Sequence, residues 1–278
     1  MTTAAEYACL AGYAEAMNAA GLLAPPIDTR ANDWQIVGYI TAQNALFNLQ
    51  RVGVGQRVFF GFHAFRMSDP REHVVVIRGT ESAIEWIEDA DAILAPGPPI
   101  GLVHRGFWSI YQSARYFSHG ALGDGLLAAQ GITAAMPIGA SVTFIGHSLG
   151  GPIATYMVHD TARIPFAPRQ REFSLGAVLF ASPRPGDRAY VENFDEVVGK
   201  LNYSCYAYER DRVPHLPVWI PTLPFKSLLG TTWIKPSQSQ AIISDTPGCC
   251  HAATSYARML DYASADGTNS CVLGPRPS

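Results

Sequence analysis

The chain is short of charge, of long apolar runs and of patterned cysteine, and each shortage excludes something. Charged residues make up only 15% of 278 residues, with a formal net charge of -3 and no Lys/Arg block. That balance gives no electrostatic footprint for a nucleic-acid partner. No apolar run approaches the roughly 18 residues needed to span a bilayer, so no transmembrane segment is expected. The N-terminal stretch MTTAAEYACLAGYAEAMNAAGLL has no basic region followed by a continuous apolar one. It reads as a helix rather than a signal peptide. The expected location is cytoplasmic, or extracellular if the sequence is a processed or non-classically exported form. The five cysteines, Cys9, Cys205, Cys249, Cys250 and Cys271, lack the spacing of a disulfide framework or a zinc site. Free thiols are the expectation. The adjacent pair Cys249–Cys250 is open to two readings, a strained vicinal bridge or two thiols.

What is present is a hydrophobic content of 48%, enough for one large domain over residues 1–278 with a full core. Strand-like runs cover 35–41, 57–65, 74–78, 142–145, 176–181 and 203–208. Phe107, Ile110, Tyr111, Ala114 and Phe117 fall on one helical stripe, which predicts a helix over 104–129. A further helix is expected over 152–159. Alternating strands and helices imply an α/β fold with a mostly parallel sheet flanked by helices. Function then gathers at the carboxyl ends of the strands, in the loops after 78, 146, 181 and 208. Residues 214–248, rich in Pro, Trp and Leu, have weak periodicity. A structureless connection of that length is uncommon unless it is functional, and its apolar part, 214–234, suits an acyl pocket.

Gly146-His147-Ser148-Leu149-Gly150 matches G-x-S-x-G. An apolar strand precedes it and an amphipathic helix follows, the setting in which a serine on a tight turn exposes its Oγ at the top of a sheet. The flanking glycines let neighbouring segments approach where a Cβ would clash. The alternative is a glycine-rich turn with a serine cap.

Several segments resemble, in order, those of the class 3 lipases, the fungal-lipase-like branch of the α/β hydrolases. They are VVIRGTESAIEWIEDAD, VHRGFW, FIGHSLGG, FASPRPGD, DRVPHLP and CCHAATSYARML, and the resemblance runs over roughly residues 35 to 262. It implies the α/β-hydrolase fold, with residues 82–94 as its lid segment. Similar lipases carry a tryptophan there like Trp86. A fixed surface helix over 82–94, with Ile84, Ile87 and Ile93 opposite Glu85, Glu88 and Asp91, is an equal reading.

A serine hydroxyl needs a base, and the base needs an orienting acid, in the chain order Ser, Asp or Glu, His. Of the downstream histidines, His159 sits on the helix after the elbow and reads as a surface or helix-end residue. His215, four residues from Asp211, reads as pocket lining. His251, after a loop and before an apolar helix, is the expected base. Asp211 follows a strand end, and the resemblance points to it as well. Asp187 reads as a structural turn residue, while Asp160, Asp195 and Asp245 are weaker competitors. The expected oxyanion donors are the amide of Leu149 and, from the resemblance, that of Thr80. Ile84, Trp86, His147 and His215 are the expected pocket or lid residues.

The expected activity is carboxylic ester hydrolysis through a Ser148 acyl-enzyme, on acylglycerols or other lipophilic esters, with transient contact at a lipid interface. No metal or organic cofactor is called for. Two other functions stay open: an esterase for short-chain or aromatic (feruloyl-type) esters, and a non-catalytic hydrolase fold used as a binding module.

Overall fold

The computed structural model describes residues 3–20, 33–43, 57–80, 93–98, 100–118, 125–164, 173–199, 202–218, 220–222, 224–263 and 269–277. Helix α1, Ala4–Ala19, begins at Thr3, whose hydroxyl accepts from the Glu6 amide. It is the helix expected at the N-terminus, and it buries Ala8, Ala11 and Ala14. Three antiparallel strands follow, β1 (Trp34–Gln43), β2 (Arg57–Arg66) and β3 (Asp69–Ile77). After β4 (Leu94–Pro96) and β5 (Leu102–His104) come α2 (Arg105–Ser113), β6 (Arg115–Ser118), β7 (Leu126–Leu127) and α3 (Ala128–Ala135). Then β8 (Ser141–His147), α4 (Gly150–Arg163), β9 (Ser174–Phe180), α5 (Arg188–Val198) and β10 (Tyr203–Tyr208) supply the alternating part. The chain continues through β11 (Thr232–Ile234), β12 (Ala241–Ile243), α6 (Pro247–His251), α7 (Ala253–Leu260) and β13 (Val272–Pro275).

The main sheet runs β11-β10-β9-β8-β3-β2-β1-β6-β7. Its five strands from β3 to β11 are mutually parallel, and the β2, β1, β6 side is antiparallel. Val74 to Ile77 is fully buried, and strand alternation splits it between two cores. Val75 and Ile77 pack with Phe107, Ile153 and Phe194 on one face. Val74 and Val76 pack with Ala11, Tyr256 and Met259 on the other. Thus α2, α4 and α5 cover one side, while α1 and α7 lie together under the other.

Three expectations are corrected. The helix expected over 104–129 stops at Ser113, and Arg115–Ser118 forms β6 against β1. Phe107, Ile110 and Tyr111 do face one core. Beyond them, Tyr116 takes the space over Gly38, where any Cβ would collide with its ring. That room on an unpaired strand edge overrides the helical period. The 214–248 segment is not structureless: Thr232–Ile234 adds a parallel strand beside β10, and Ala241–Ile243 pairs with β13. Finally, Cys249 bonds to Cys271, not to Cys250, while Cys9, Cys205 and Cys250 take no part in a disulfide. The turn through residues 269–272 brings a cysteine distant in sequence alongside α6, which spacing could not reveal.

Candidate active site

The site is built on the carboxyl ends of the parallel strands. At the end of β8, Ser148 has φ 54°, a left-handed conformation costly for a residue with a Cβ. The turn holds because its neighbours leave no alternative. The Ser148 amide donates to the Phe180 carbonyl at 3.0 Å, and the Gly151 amide donates to the Ser148 carbonyl at 2.8 Å. A Cβ on Gly146 would lie 2.5 Å from the Gly150 carbonyl oxygen, and one on Gly150 would strike the carbonyl of Ile77. On the adjacent strand β9, Ala181 has φ 50°, so both left-handed non-glycine residues among those described lie at these two neighbouring strand ends.

Asp211 lies in the turn after β10, its amide donating to the Tyr208 carbonyl at 3.0 Å. His251 is the last residue of α6, a short helix capped by Thr246. The two meet Ser148 across the sheet top. His251 Nδ1 is 2.9 Å from Asp211 Oδ2, and His251 Nε2 is 2.8 Å from Ser148 Oγ. All three side chains are buried. A carboxylate only accepts, so Nδ1 carries the proton and Nε2 is left with a lone pair facing the hydroxyl. The second Asp211 oxygen accepts from the Val213 amide at 3.0 Å.

Tyr256, which the sequence did not single out, also bonds Asp211. Its hydroxyl donates to Asp211 Oδ2 at 2.9 Å and accepts from the Tyr208 amide at 2.8 Å. Burial, reinforced by the neighbouring Asp211, pushes its phenol well above the ordinary value, so it stays a donor. The only hint in the sequence is its place five residues after His251. The competing carboxylates are engaged elsewhere. Asp187 caps α5, Asp195 accepts from Tyr203, Asp160 accepts from Tyr111, and Asp245 pairs with Arg210.

Leu149 opens α4 in a helical conformation, so its amide is among the first-turn donors that a helix leaves without an internal acceptor. Thr80 is partly exposed and follows Gly79, whose Cβ, if present, would sit 2.9 Å from that of Ser148. The end of β3 therefore passes close to Ser148. Ile84, Trp86 and residues 82–92 of the expected lid lie outside the described residues.

His215 is exposed and stacks on Trp233 with ring centroids 4.8 Å apart. His147 faces away from solvent. It is buried, and both ring nitrogens are occupied, by Glu15 Oε1 at 2.6 Å and by the His251 carbonyl at 2.7 Å. Strand alternation turns it to the α1 side of the sheet. His159 is fully buried rather than at the surface, and contacts Asn193 at 2.8 Å. Among the described residues, no group of three or more His, Cys, Asp or Glu side chains could hold a metal ion, and no helix is long and apolar enough to cross a membrane.

The class 3 lipase family model matches residues 74–220, just over half the chain. The chain belongs to the class 3 lipase family. As such it is 32% identical over 172 residues to phospholipase A1-II 2 of Oryza sativa subsp. indica, covering 53% of this chain and 41% of the relative. It is 30% identical over 207 residues to a lipase of Rhizomucor miehei, covering 70% and 52%. The chain thus spans about two-fifths to half the length of these relatives. Among solved structures, the Rhizomucor miehei triacylglyceride lipase superposes with TM-score 0.57 at 22% identity, over 82% of this chain and 77% of that one. Lipase II from Rhizopus niveus gives 0.56 at 20%, over 83% and 80%. This likeness shows the α/β-hydrolase fold of the family, in agreement with the sheet described above.

Proposed function

We propose that this class 3 lipase family member hydrolyses carboxylic esters of lipophilic substrates, acylglycerols or related glycerolipids, through an acyl-enzyme on Ser148. The observation that carries the reading is the unbroken hydrogen-bond chain Ser148 Oγ–His251–Asp211 set on a strained turn. In this reading His251 Nε2 removes the Ser148 proton as Oγ attacks the ester carbonyl. Asp211, fixed by Val213 and Tyr256, holds the tautomer and stabilises the imidazolium. The oxyanion is met by the Leu149 and Thr80 amides, preorganised where charge develops. Collapse expels the alcohol, protonated by His251. Water activated by the same imidazole then releases the acid and restores Oγ–H.

The lipid preference is supported by the relatives' described activities, phospholipase A1 and lipase. The disulfide between Cys249 and Cys271 supports the extracellular alternative for its location, since such bonds persist in oxidising compartments. The test is a chain-length series of p-nitrophenyl esters, with emulsified triacylglycerol, phosphatidylcholine vesicles and methyl ferulate alongside, on the wild type and on Ser148→Ala. Activity that rises with acyl length and vanishes in the variant is expected. Activity confined to short or aromatic esters would replace the lipid reading with the esterase one. No reaction with any ester or with a fluorophosphonate probe would leave only a binding role.

A further inference from the structure

Behind the Ser148–His251–Asp211 chain stands a second carboxylate–imidazole pair, contributed by a helix outside the family-matched span. Glu15, near the end of α1, reaches across 132 positions of sequence to His147 Nδ1 at 2.6 Å. The other nitrogen of that ring, Nε2, faces the backbone carbonyl of His251 at 2.7 Å. A carbonyl only accepts, so Nε2 must carry a proton. On the Glu15 side, a neutral ring protonated at Nε2 would present a lone pair to an ionised carboxylate, two acceptors 2.6 Å apart. One proton therefore lies between Nδ1 and Oε1, and the ring donates at both ends.

The surroundings keep the pair in register with the site. The His147 and His251 rings lie 4.8 Å apart, and His147 is the residue before Ser148. A Cβ on Gly79 would fall 2.7 Å from Glu15 Oε1 and 2.9 Å from His147 Nδ1, so the segment leading to Thr80 packs directly on the pair. The charged and titratable groups facing it are Arg78, whose guanidinium bonds the Gly79 carbonyl, His251 and Asp211 across the site, and the Tyr256 ring on α7. Burial by itself would push His147 down, but the Glu15 carboxylate outweighs it and holds the imidazole above its ordinary value. Burial would likewise raise Glu15, yet His147 holds it below the usual carboxylate range.

We infer that Glu15 and His147 are positioning residues: the Glu15 carboxylate keeps the His147 ring doubly donating, and that ring, through the His251 carbonyl, holds the backbone that aims the base at Ser148. The inference rests on the ester-hydrolase reading above. It makes α1, which carries no recognisable motif, part of the apparatus that orients the base. The arrangement repeats one shell out the logic by which Asp211 fixes His251.

Glu15→Gln and Glu15→Leu separate this role from mere packing. The glutamine amide can donate to Nδ1 and preserve the proton on Nε2, so E15Q retains kcat near neutral pH. In E15L the ring is free to change tautomer and turn, and kcat falls about 10- to 100-fold, the cost of losing a charge-assisted hydrogen bond, with KM unchanged. At alkaline pH the wild type loses the shared proton, and Nδ1 then faces the ionised Glu15. Its activity falls along an alkaline limb that E15Q lacks. Heteronuclear NMR of the ring nitrogens, assigned with His147→Gln, reads the pair without turnover. Both His147 nitrogens are protonated in the wild type at neutral pH, and only one is in E15Q. Circular dichroism melts report whether each variant is folded. An E15L protein that folds and matches the wild type in kcat and pH profile overturns the positioning role, as does a His147 that titrates like a free imidazole in the wild type. A wild type that reacts with neither esters nor a fluorophosphonate overturns the functional reading and, with it, the positioning role.

Discussion

A chain of buried imidazoles in the antiparallel half of the sheet and the His251 chain at the ends of the parallel strands finish differently. In the antiparallel half, His63 Nε2 meets His73 Nδ1 at 2.9 Å, His63 Nδ1 meets the Tyr116 hydroxyl at 3.1 Å, and His73 Nε2 meets the Pro70 carbonyl at 3.1 Å. The carbonyl requires a proton on His73 Nε2, so His73 Nδ1 accepts from His63, which accepts from Tyr116. Every ring is neutral, and no carboxylate among the described residues bonds to either. Burial, with His73 adding to it, pushes His63 down to about 3. In the parallel half the chain begins at a carboxylate, Asp211, and ends at a hydroxyl on a strained turn. There the imidazole has a carboxylate on one nitrogen and a hydroxyl on the other. The difference teaches that burial alone holds a histidine neutral, and that a carboxylate beside the ring fixes which nitrogen carries the proton.

The comparison breaks first at Ser148. Ser148→Ala is expected to cut kcat by about 10⁶-fold and to abolish fluorophosphonate labelling, with the melting transition retained. Ester turnover at the wild-type rate would end the claim that this half is the reactive one. Next, Asp211→Asn leaves the geometry but offers a donor where Nδ1–H needs an acceptor. A fall in kcat of about 10⁴-fold with KM unchanged is expected, read from steady-state kinetics.

The silent chain should declare itself in stability rather than rate. His63, and His104 held at about 4 by burial, take up protons in the unfolded chain near 6.5 but not in the fold. Stability therefore falls as pH drops below about 6.5, by about 1.4 kcal/mol per pH unit for each histidine. His104 stops contributing near 4 and His63 near 3. Urea midpoints measured from neutral pH down to 4 check this, and His63→Gln should flatten the slope. A smaller effect belongs to Tyr256→Phe, which removes one bond to Asp211 and strands the Tyr208 amide. About tenfold in kcat is expected. The smallest is His63→Gln itself, expected to leave kcat within about twofold because the two chains share no partner. A larger loss would join the two halves.

The elbow was legible because its physics is local: a strand, a serine between glycines and a helix lie within a dozen consecutive residues. Asp211 and His251 were legible through chain order, their places after a strand and before a helix, and the family resemblance, and the structure brings His251 within hydrogen-bond distance of Ser148 and Asp211 within that of His251. Helical spacing from Phe107 to Phe117 misled, because the vacancy over Gly38 and the free edge of β1 drew Tyr116 into a strand. The 214–248 segment looked structureless since a three-residue strand such as Thr232–Ile234 is too short to show a period. The sequence placed His147 beside Ser148, but it could not show that alternation along β8 turns its ring toward Glu15 of α1.

By itself the sequence determined the alternating α/β order, the tight turn at Ser148 and the set of polar residues from which a site could be assembled. Those follow from short-range periodicity and from glycine's missing Cβ. Only the tertiary structure decided that Cys249 joins Cys271, that Tyr256 supports Asp211, that His159 is buried, and that Glu15 stands behind His147. Each depends on which faces of distant elements meet. That is settled by packing two apolar cores against one sheet, and no local pattern encodes it.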